Sequence, residues 1–390
     1  MEIDGFQELL TPAGQDVLLS AMESDISEKG LLASATRLRA RHSASLVSAA
    51  LTQVRLRHRA VAKFGPDALR MYFTPHGLEQ STRASVAEYR AGRFFGPVLE
   101  LCCGIGADLL HRARAGIAGV GVDLDPLTVA VAQANLAAFQ MGNLASARVG
   151  DALEQDPAGF EAVFADPGRR TARGRVFDPR SYEPPLDSLL ALAARAPAAC
   201  VKVAPGIPYE AIPDGASTEW ISDHGEVKEA ALWFGALATG PVRSATLLRD
   251  GHVHTLTPDA SLGDAPVGPW ARYLYEPDGA VIRAHLVAEA AALLDGHLAD
   301  PRIAYVTSDR LVETPYATAY EVRTVLPFSV KRLKALLREN DIGTLTLKKR
   351  GFAADLDRLH KDLKPTGTLT GTVVLTRVGD SPVALLCGKV

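Results

Sequence analysis

Four acidic residues each follow a short apolar run, and such residues can bind the polar groups of a nucleoside. They are Glu100, Asp123, Asp151 and Asp166. If the apolar runs are parallel strands, their carboxyl ends meet at the edge of a sheet where α/β proteins bind ligands. A carboxylate after the second strand accepts hydrogen bonds from both ribose hydroxyls, the role predicted for Asp123. Asp151, after the third strand, could accept from the exocyclic amine of the base.

These acids also have structural interpretations. Asp125 directly precedes Pro126, and we expect it to cap the next helix rather than bind ribose. Asp151 could be an ordinary turn residue, and Glu100 could orient its loop without touching a ligand. The spacing of the acids leaves these alternatives open.

The first apolar run, Val98 to Leu101, is followed by a turn that contains Gly104 and Gly106. Glycine permits positive φ and lets a ligand approach the backbone closely. Two glycines one residue apart after a strand also fit a nicotinamide or flavin site. The turn therefore predicts a ligand site without identifying the ligand.

The elements that position these residues alternate between strand and helix from Pro97 onward, which implies a parallel sheet covered on both faces. Val227 to Phe234 could add an antiparallel strand near the sheet edge. The chain before Pro97 reads as helical, with a turn at Thr74 to Gly77, and Val281 to Leu294 reads as one amphipathic helix. The predicted strands of the sheet are 98–101, 119–122, 145–149, 162–165 and 200–203.

The ordered acids and the glycine turn resemble the class I S-adenosylmethionine-dependent methyltransferases over roughly residues 95–235. The usual first motif is Glu/Asp-x-Gly-x-Gly-x-Gly, and here Cys102 stands at the first glycine. Ala107 follows Gly106, so the third glycine of a dinucleotide fingerprint is missing, which favours a methyltransferase over a dehydrogenase. The resemblance implies S-adenosyl-L-methionine as cofactor and a set of cofactor-binding residues: Glu100, Cys102, Gly104, Gly106, Asp123, Leu124, Asp151, Ala152 and Asp166.

The loop after the fourth strand is where the resemblance places the reaction. Methyltransferases acting on exocyclic amines often carry Asp/Asn-Pro-Pro-aromatic here, and this sequence keeps Asp166 and Pro167 but continues with Gly168 and Arg169. We therefore predict Asp166 and Pro167 as catalytic and a base nitrogen as acceptor, without the usual stacking aromatic. Candidate substrate contacts are the rim residues Arg169, Arg170 and Lys202, although the arginines could instead pair with nearby acids.

Two further stretches resemble bacterial methyltransferases with a helical N-terminal segment and a C-terminal THUMP-like domain. They are Met71 to Gln80, and the last ~75 residues, including Leu326 to Lys331 and Leu345 to Phe352. THUMP domains proper bind RNA, so the resemblance implies a structured RNA substrate. The expected fold is an α/β Rossmann-like methyltransferase sheet with a helical N-terminal segment and a C-terminal α+β THUMP-like domain. The predicted divisions are a helical domain at 1–92, the methyltransferase domain at 93–240, a linker and small subdomain at 241–312, and the THUMP-like domain at 313–390.

Charge is unevenly distributed in this chain of 390 residues and net charge −3. The segment 31–70 carries eight cations and one acid, and the segment 331–350 carries seven cations and two acids. Two basic segments in a slightly acidic protein suggest contact with a polyanion such as RNA, although solvated helix faces are the alternative.

Composition excludes several other classes of protein. Apolar residues make up 47% of the chain, which is typical of a globular protein. No apolar run approaches the ~20 residues that a membrane span needs, and no signal peptide is recognisable. The four cysteines fit neither a disulfide framework nor a zinc site, so we expect no metal and a reducing cytoplasm. The oligomeric state is not predicted.

Three functions remain open from the sequence. The first is an S-adenosylmethionine-dependent RNA methyltransferase. The second is a methyltransferase of a small molecule or a protein, and the third is a non-catalytic RNA-binding protein on the same scaffold. The basic segments favour the first and third, whereas the acids Glu100, Asp123 and Asp151 argue against the third, because a scaffold does not need them.

Overall fold

A computed structural model describes residues 1–27, 29–168, 170–171, 174–175 and 181–390, without the side chains of 170, 171, 174 and 175. It contains two compact units, one of residues 1–217 with 229–239 and one of residues 218–228 with 240–390. This differs from the four predicted domains. The N-terminal helices share one hydrophobic core with the helices beside the glycine turn, so residues 1–92 do not form a separate unit. Residues 241–312 are not a linker, because they contribute strands to the sheets of the second unit.

Among the residues that the structure describes, the first unit begins with six α-helices. Thr11, Ser43 and Thr74 each accept a backbone hydrogen bond at a helix start, as N-cap residues do. The predicted turn at Thr74 is therefore the start of a helix, with Pro75 in its first position. The bounds are α1 (Ile3–Leu9), α2 (Pro12–Met22), α3 (Leu31–Arg39), α4 (Ala44–Phe64), α5 (Pro75–Gln80) and α6 (Ala84–Ala91).

The predicted alternation of strand and helix is present after residue 97. All five predicted strands are found, and Glu226–Gly235 lies antiparallel to Ala198–Val203, as expected. The bounds are β1 (Val98–Leu101), α7 (Ala107–Arg114), β2 (Gly119–Asp123), α8 (Pro126–Ala138), β3 (Ala145–Val149), β4 (Ala162–Ala165), β5 (Arg170–Thr171), β6 (Gly174–Arg175), α9 (Leu186–Ala193), β7 (Ala198–Val203), β8 (Ser217–Asp223) and β9 (Glu226–Gly235). In the first unit the order is β9-β7-β4-β1-β2-β3, with parallel neighbours except at β9.

The second unit contains two groups of strands. β8 pairs in parallel with Arg243–Arg249, which pairs antiparallel with His252–Leu256. The remaining strands form a seven-stranded sheet in the order β13-β14-β12-β15-β18-β17-β16. The bounds are β10 (Arg243–Arg249), β11 (His252–Leu256), β12 (Tyr273–Pro277), α10 (Gly279–Arg283), α11 (Val287–Leu293), β13 (His297–Leu298), β14 (Val306–Ser308), β15 (Ala317–Pro327), α12 (Val330–Glu339), β16 (Ile342–Lys349), α13 (Leu356–Leu363), β17 (Leu369–Val378) and β18 (Ser381–Lys389).

The predicted C-terminal α+β unit is confirmed from β15 to β18. Leu333 and Leu337 of α12 and Leu359 of α13 pack with Val373 and Leu386 of the sheet into one core. The predicted helix 281–294 is instead two helices, α10 and α11, because His285 between them adopts a positive φ of 54°. Among the described residues no helix is long and apolar enough to cross a membrane.

Candidate active site

Asp123 lies at the end of β2 and connects the glycine turn after β1 with the loop after β2. Both lie at the carboxyl ends of the parallel strands, where α/β proteins bind ligands, and this edge of the sheet is here called the ligand edge. One carboxylate oxygen accepts a hydrogen bond from the backbone nitrogen of Gly104 at 2.9 Å. The other accepts from the backbone nitrogen of Asp125 at 3.1 Å. A carboxylate oxygen has two lone pairs, so both oxygens keep acceptor capacity for ribose hydroxyls. The structure thus brings Asp123 and the glycine turn together.

The glycine turn has three residues in the left-handed region of backbone conformation. Cys102 has φ 59°, Gly104 has φ 56° and Gly106 has φ 76°. A Cβ atom placed on Gly104 would meet no atom within 4 Å, so open space lies directly above this backbone. That space beside Asp123 fits a cofactor that lies against the turn. The left-handed backbone at Cys102 also explains why the usual motif has glycine there.

Residues after β2 and β3 complete the ligand edge. Asp125 caps α8 by accepting from the backbone nitrogen of Thr128, which confirms its predicted structural role. Asp151 accepts from the backbone nitrogen of Leu153, and this contact uses one of its two carboxylate oxygens. The side chain of Leu124 is 65% exposed, whereas Ala152 is buried. An exposed leucine beside Asp123 offers an apolar surface to a flat base.

Glu100 lies within the protein rather than at the open surface of the site. Its side chain is 2% exposed and accepts a hydrogen bond from the guanidinium of Arg112 of α7. Burial raises the pKa of Glu100 to about 8, although the positive charge of Arg112 opposes this shift. Glu100 therefore contacts α7, the helix that follows the glycine turn, and its carboxylate does not reach the open surface of the site.

Asp166 follows β4, and its side chain, 20% exposed, is the most accessible carboxylate of a buried charge cluster. Its Oδ2 atom accepts from Nζ of Lys202 at 2.6 Å. Lys202 is only 4% exposed, which corrects the expectation that it faces the rim and contacts substrate. It points inward because its ammonium also donates to Oγ1 of Thr82 at 2.9 Å and lies 3.9 Å from Glu229. Pro167 is buried directly after Asp166.

The rest of the buried charge cluster is centred on Arg90 of α6. Arg90 is fully buried, forms ion pairs with Asp108 and Glu229, and stacks 4.6 Å from the ring centre of Phe164. Burial disfavours charge on Asp108, but Arg90, followed by Lys202 and Arg112, outweighs it and holds the pKa of Asp108 below its usual range. The cluster therefore keeps buried charges paired beneath the site.

Sequence reasoning missed Thr82, Arg90, Asp108 and Glu229. Thr82 and Arg90 belong to the N-terminal segment that was assigned to a separate domain, and no motif marks them. Asn135 of α8 was also missed: its side-chain amide donates to the backbone oxygen of Ile105 at 2.9 Å and thereby holds the glycine turn. Arg169 and the side chain of Arg170, predicted to contact substrate, lie outside the described residues.

No group of three histidine, cysteine, aspartate or glutamate side chains that could hold a metal ion occurs among the described residues. The polar groups at this edge are carboxylates, which accept hydrogen bonds, and the backbone groups of the glycine turn. These groups suit the ribose, amine and amino-acid portions of a nucleoside-containing cofactor.

A fold with this sheet, this turn and these acids defines the class I S-adenosylmethionine-dependent methyltransferases. The particular family follows from relatives. An uncharacterised S-adenosylmethionine-dependent methyltransferase of Mycobacterium tuberculosis CDC 1551 / Oshkosh is 36% identical over 337 residues, covering 83% of this chain and 91% of the relative. The same values hold for its counterpart in strain H37Rv. The chain therefore belongs to this family of methyltransferases, and S-adenosyl-L-methionine is its cofactor.

Two family models match the ends of the chain. Residues 317–389 match a model described as THUMP domain-like, and residues 2–60 match a domain of unknown function, DUF8688. A crystal structure described as that of a methyltransferase from Porphyromonas gingivalis W83 resembles the whole fold, with a TM-score of 0.72. It is 22% identical and covers 90% of this chain and 92% of its own. This likeness supports the fold, including the C-terminal THUMP-like domain.

Proposed function

We propose that this methyltransferase modifies a base nitrogen in structured RNA, in the cytoplasm. One observation carries the RNA part of the proposal: four cations lie on the exposed side of α12, inside the segment that matches the THUMP-like model. Leu333 and Leu337 of the same helix are buried in the core. The exposed cations are Lys331, Arg332, Lys334 and Arg338.

The cations of α12 are available to a ligand. Within the part of the chain that the structure describes, none of the four forms an ion pair or another polar side-chain contact. Four unpaired cations within eight residues of one helix attract a polyanion, because several phosphates can be neutralised by them at once. A small-molecule methyltransferase has no need of such a surface.

The cofactor contacts that we propose follow the ligand edge. Asp123 would accept from the ribose hydroxyls and Asp151 from the adenine amine, while Gly104 and Gly106 would let the methionine portion lie against the turn. S-adenosyl-L-methionine supplies an electrophilic methyl group on a sulfonium. What remains for the protein is to hold the acceptor in line, exclude water and accept hydrogen bonds from an attacking amine. We propose that Asp166 and the backbone at Pro167 do the last of these.

The test is transfer of isotope-labelled methyl groups from S-adenosylmethionine into fractions of a cell extract. We expect label in RNA, and mass spectrometry of nucleosides would then identify the modified base and atom. Label in protein or in small molecules, with none in RNA, would overturn the proposal.

Two variants separate the proposed roles in binding and reaction. Asp166→Ala should lower methyl transfer by about 100-fold or more while calorimetry finds S-adenosylmethionine affinity nearly unchanged. Asp123→Ala should weaken that affinity by about tenfold or more, because hydrogen bonds from ribose to a charged acceptor are lost. Full activity of Asp166→Ala would exclude this residue from the reaction.

A further inference from the structure

We propose that Thr82 is a positioning residue: it fixes Lys202, and through Lys202 it fixes the carboxylate of Asp166 for methyl transfer. The N-terminal helical segment would then supply part of the catalytic centre instead of merely covering it. This inference rests on the proposed role of Asp166, which Asp166→Ala tests by itself, and the experiments below test the role of Thr82.

The first step of the argument is the environment of the Lys202 ammonium. It donates to Asp166 at 2.6 Å and to the hydroxyl oxygen of Thr82 at 2.9 Å. Glu229 is farther away, at 3.9 Å, and is already engaged by Arg90. Asp166 and Thr82 are therefore the two close partners that define where this ammonium lies.

The second step is the flexibility of lysine. A lysine carries its charge on a four-carbon stem with several rotatable bonds, so a single ion pair does not fix its position. The hydroxyl of Thr82 gives the ammonium a second fixed acceptor. Arg90 also reaches this hydroxyl, at 3.4 Å, which connects it to the buried pairs with Asp108 and Glu229. Thr82 thus links a mobile cation to a rigid cluster.

The third step concerns which of these side chains can meet the substrate. Thr82 and Lys202 are buried, whereas Asp166 remains partly exposed. Only Asp166 can therefore contact an acceptor, and the other two act through it. Thr82 lies in the break between α5 and α6, where Ser81 leaves the helix with an extended backbone.

The variant that tests the inference is Thr82→Val, which nearly preserves shape and removes the hydroxyl. With total RNA as acceptor we expect kcat to fall about tenfold, because a hydrogen bond to a charged group is lost. Affinity for S-adenosylmethionine should be unchanged. Thr82→Ser, which keeps the hydroxyl, should restore most of the rate. The matched control is Thr376→Val, since Thr376 is a buried threonine whose hydroxyl has no partner among the described residues.

A second measurement needs no acceptor. Sinefungin carries an amine where the cofactor carries its transferable methyl group, so a well-placed Asp166 should favour it over S-adenosylhomocysteine. By calorimetry we expect Thr82→Val to reduce this preference by about tenfold and Thr82→Ser to retain it. In a Lys202→Met background Thr82→Val should have no further effect, because Thr82 acts through Lys202.

The outcomes distinguish the two proposals. If RNA receives no label but the sinefungin preference changes as expected, the positioning role stands and the RNA acceptor is wrong. If RNA is methylated and Thr82→Val changes neither kcat nor the preference, the positioning role is wrong. If Thr82→Val fails to fold, as judged by its melting temperature, Thr82→Ser and Lys202→Met test the inference instead. An unchanged preference for sinefungin over S-adenosylhomocysteine in Lys202→Met would then overturn it.

Discussion

The two basic segments, 31–70 and 331–350, have similar charge in the sequence but differ in how their cations are arranged. In 31–70, arginines two residues apart point in opposite directions: Arg55 and Arg59 are exposed, whereas Arg57 is buried. In 331–350 the arrangement of the cations differs between the helix and the strand. Those on α12 are all exposed, while Lys348 and Arg350, on and after β16, pair with Glu276 of β12.

The difference shows that a count of charges does not define a binding surface. Several cations of 31–70 hold the first unit together through backbone oxygens: Arg57 donates to Met71 at 2.9 Å, Lys63 to Leu78 at 2.8 Å and Arg70 to Ala138 at 2.6 Å. Their orientation follows from helix periodicity, since residues two apart on a helix lie on different faces. The cations of α12 instead lie opposite the buried leucines of one short amphipathic helix.

The largest expected effect is on RNA binding by α12. Lys331→Glu, Lys334→Glu and Arg338→Glu together should weaken binding to bulk tRNA by about 100-fold near 0.1 M salt. They should also reduce the salt dependence of binding by about three units of slope, because phosphate contacts are lost. A salt titration by fluorescence anisotropy measures both quantities.

The matched control makes the same change in charge in the other segment. Arg37→Glu, Arg39→Glu and Arg41→Glu alter three exposed arginines at and after the end of α3. We expect a clearly smaller loss of affinity than for α12. An equal or larger loss would break the comparison and place the main RNA contact in the first unit.

The second largest expected effect is on the free energy of unfolding, and it compares two arginines of α4, Arg57 and Arg55. Arg57→Ala removes a donor to the backbone oxygen of Met71 and a guanidinium 4.9 Å from the ring centre of Tyr72. The free energy of unfolding should fall by about 2–3 kcal/mol, because a buried carbonyl loses its partner. Arg55→Ala should change it by less than about 0.5 kcal/mol. Urea denaturation checks both values, and equal effects would contradict the division into inward and outward cations.

What could be predicted from the sequence is local. The strands, the glycine turn and Asp123 were predicted because apolar periodicity and glycine content act over a few residues. The cluster around Arg90 could not be, since Asp108 is 18 residues away and Glu229 is 139 residues away. Periodicity also continues through His285, where a single positive φ separates α10 from α11. Lys202 was misplaced because the partner that turns it inward, Thr82, comes from a distant helical segment.

The smallest expected effect concerns the buried pair of Glu100 and Arg112, compared with the partly exposed pair of Lys348 and Glu276. The pKa of Glu100 in the folded protein, about 8, lies above its ordinary value of 4.5. Between these values the folded protein holds a proton that the unfolded chain releases, so Glu100 makes stability fall as pH rises.

Glu100→Gln removes this titration. Relative to the unmodified protein, its melting temperature should therefore rise by at least about 2–4 °C between pH 5 and pH 8, the shift that about 1 kcal/mol gives in a unit of this size, because a pKa raised from 4.5 to about 8 changes stability by more than this. Glu276→Gln, the control, should cost less than about 1 kcal/mol at either pH, because its pair is partly exposed. A melting-temperature difference for Glu100→Gln that stays constant across this range would mean that Glu100 keeps one protonation state from pH 5 to pH 8, which would contradict a pKa of about 8.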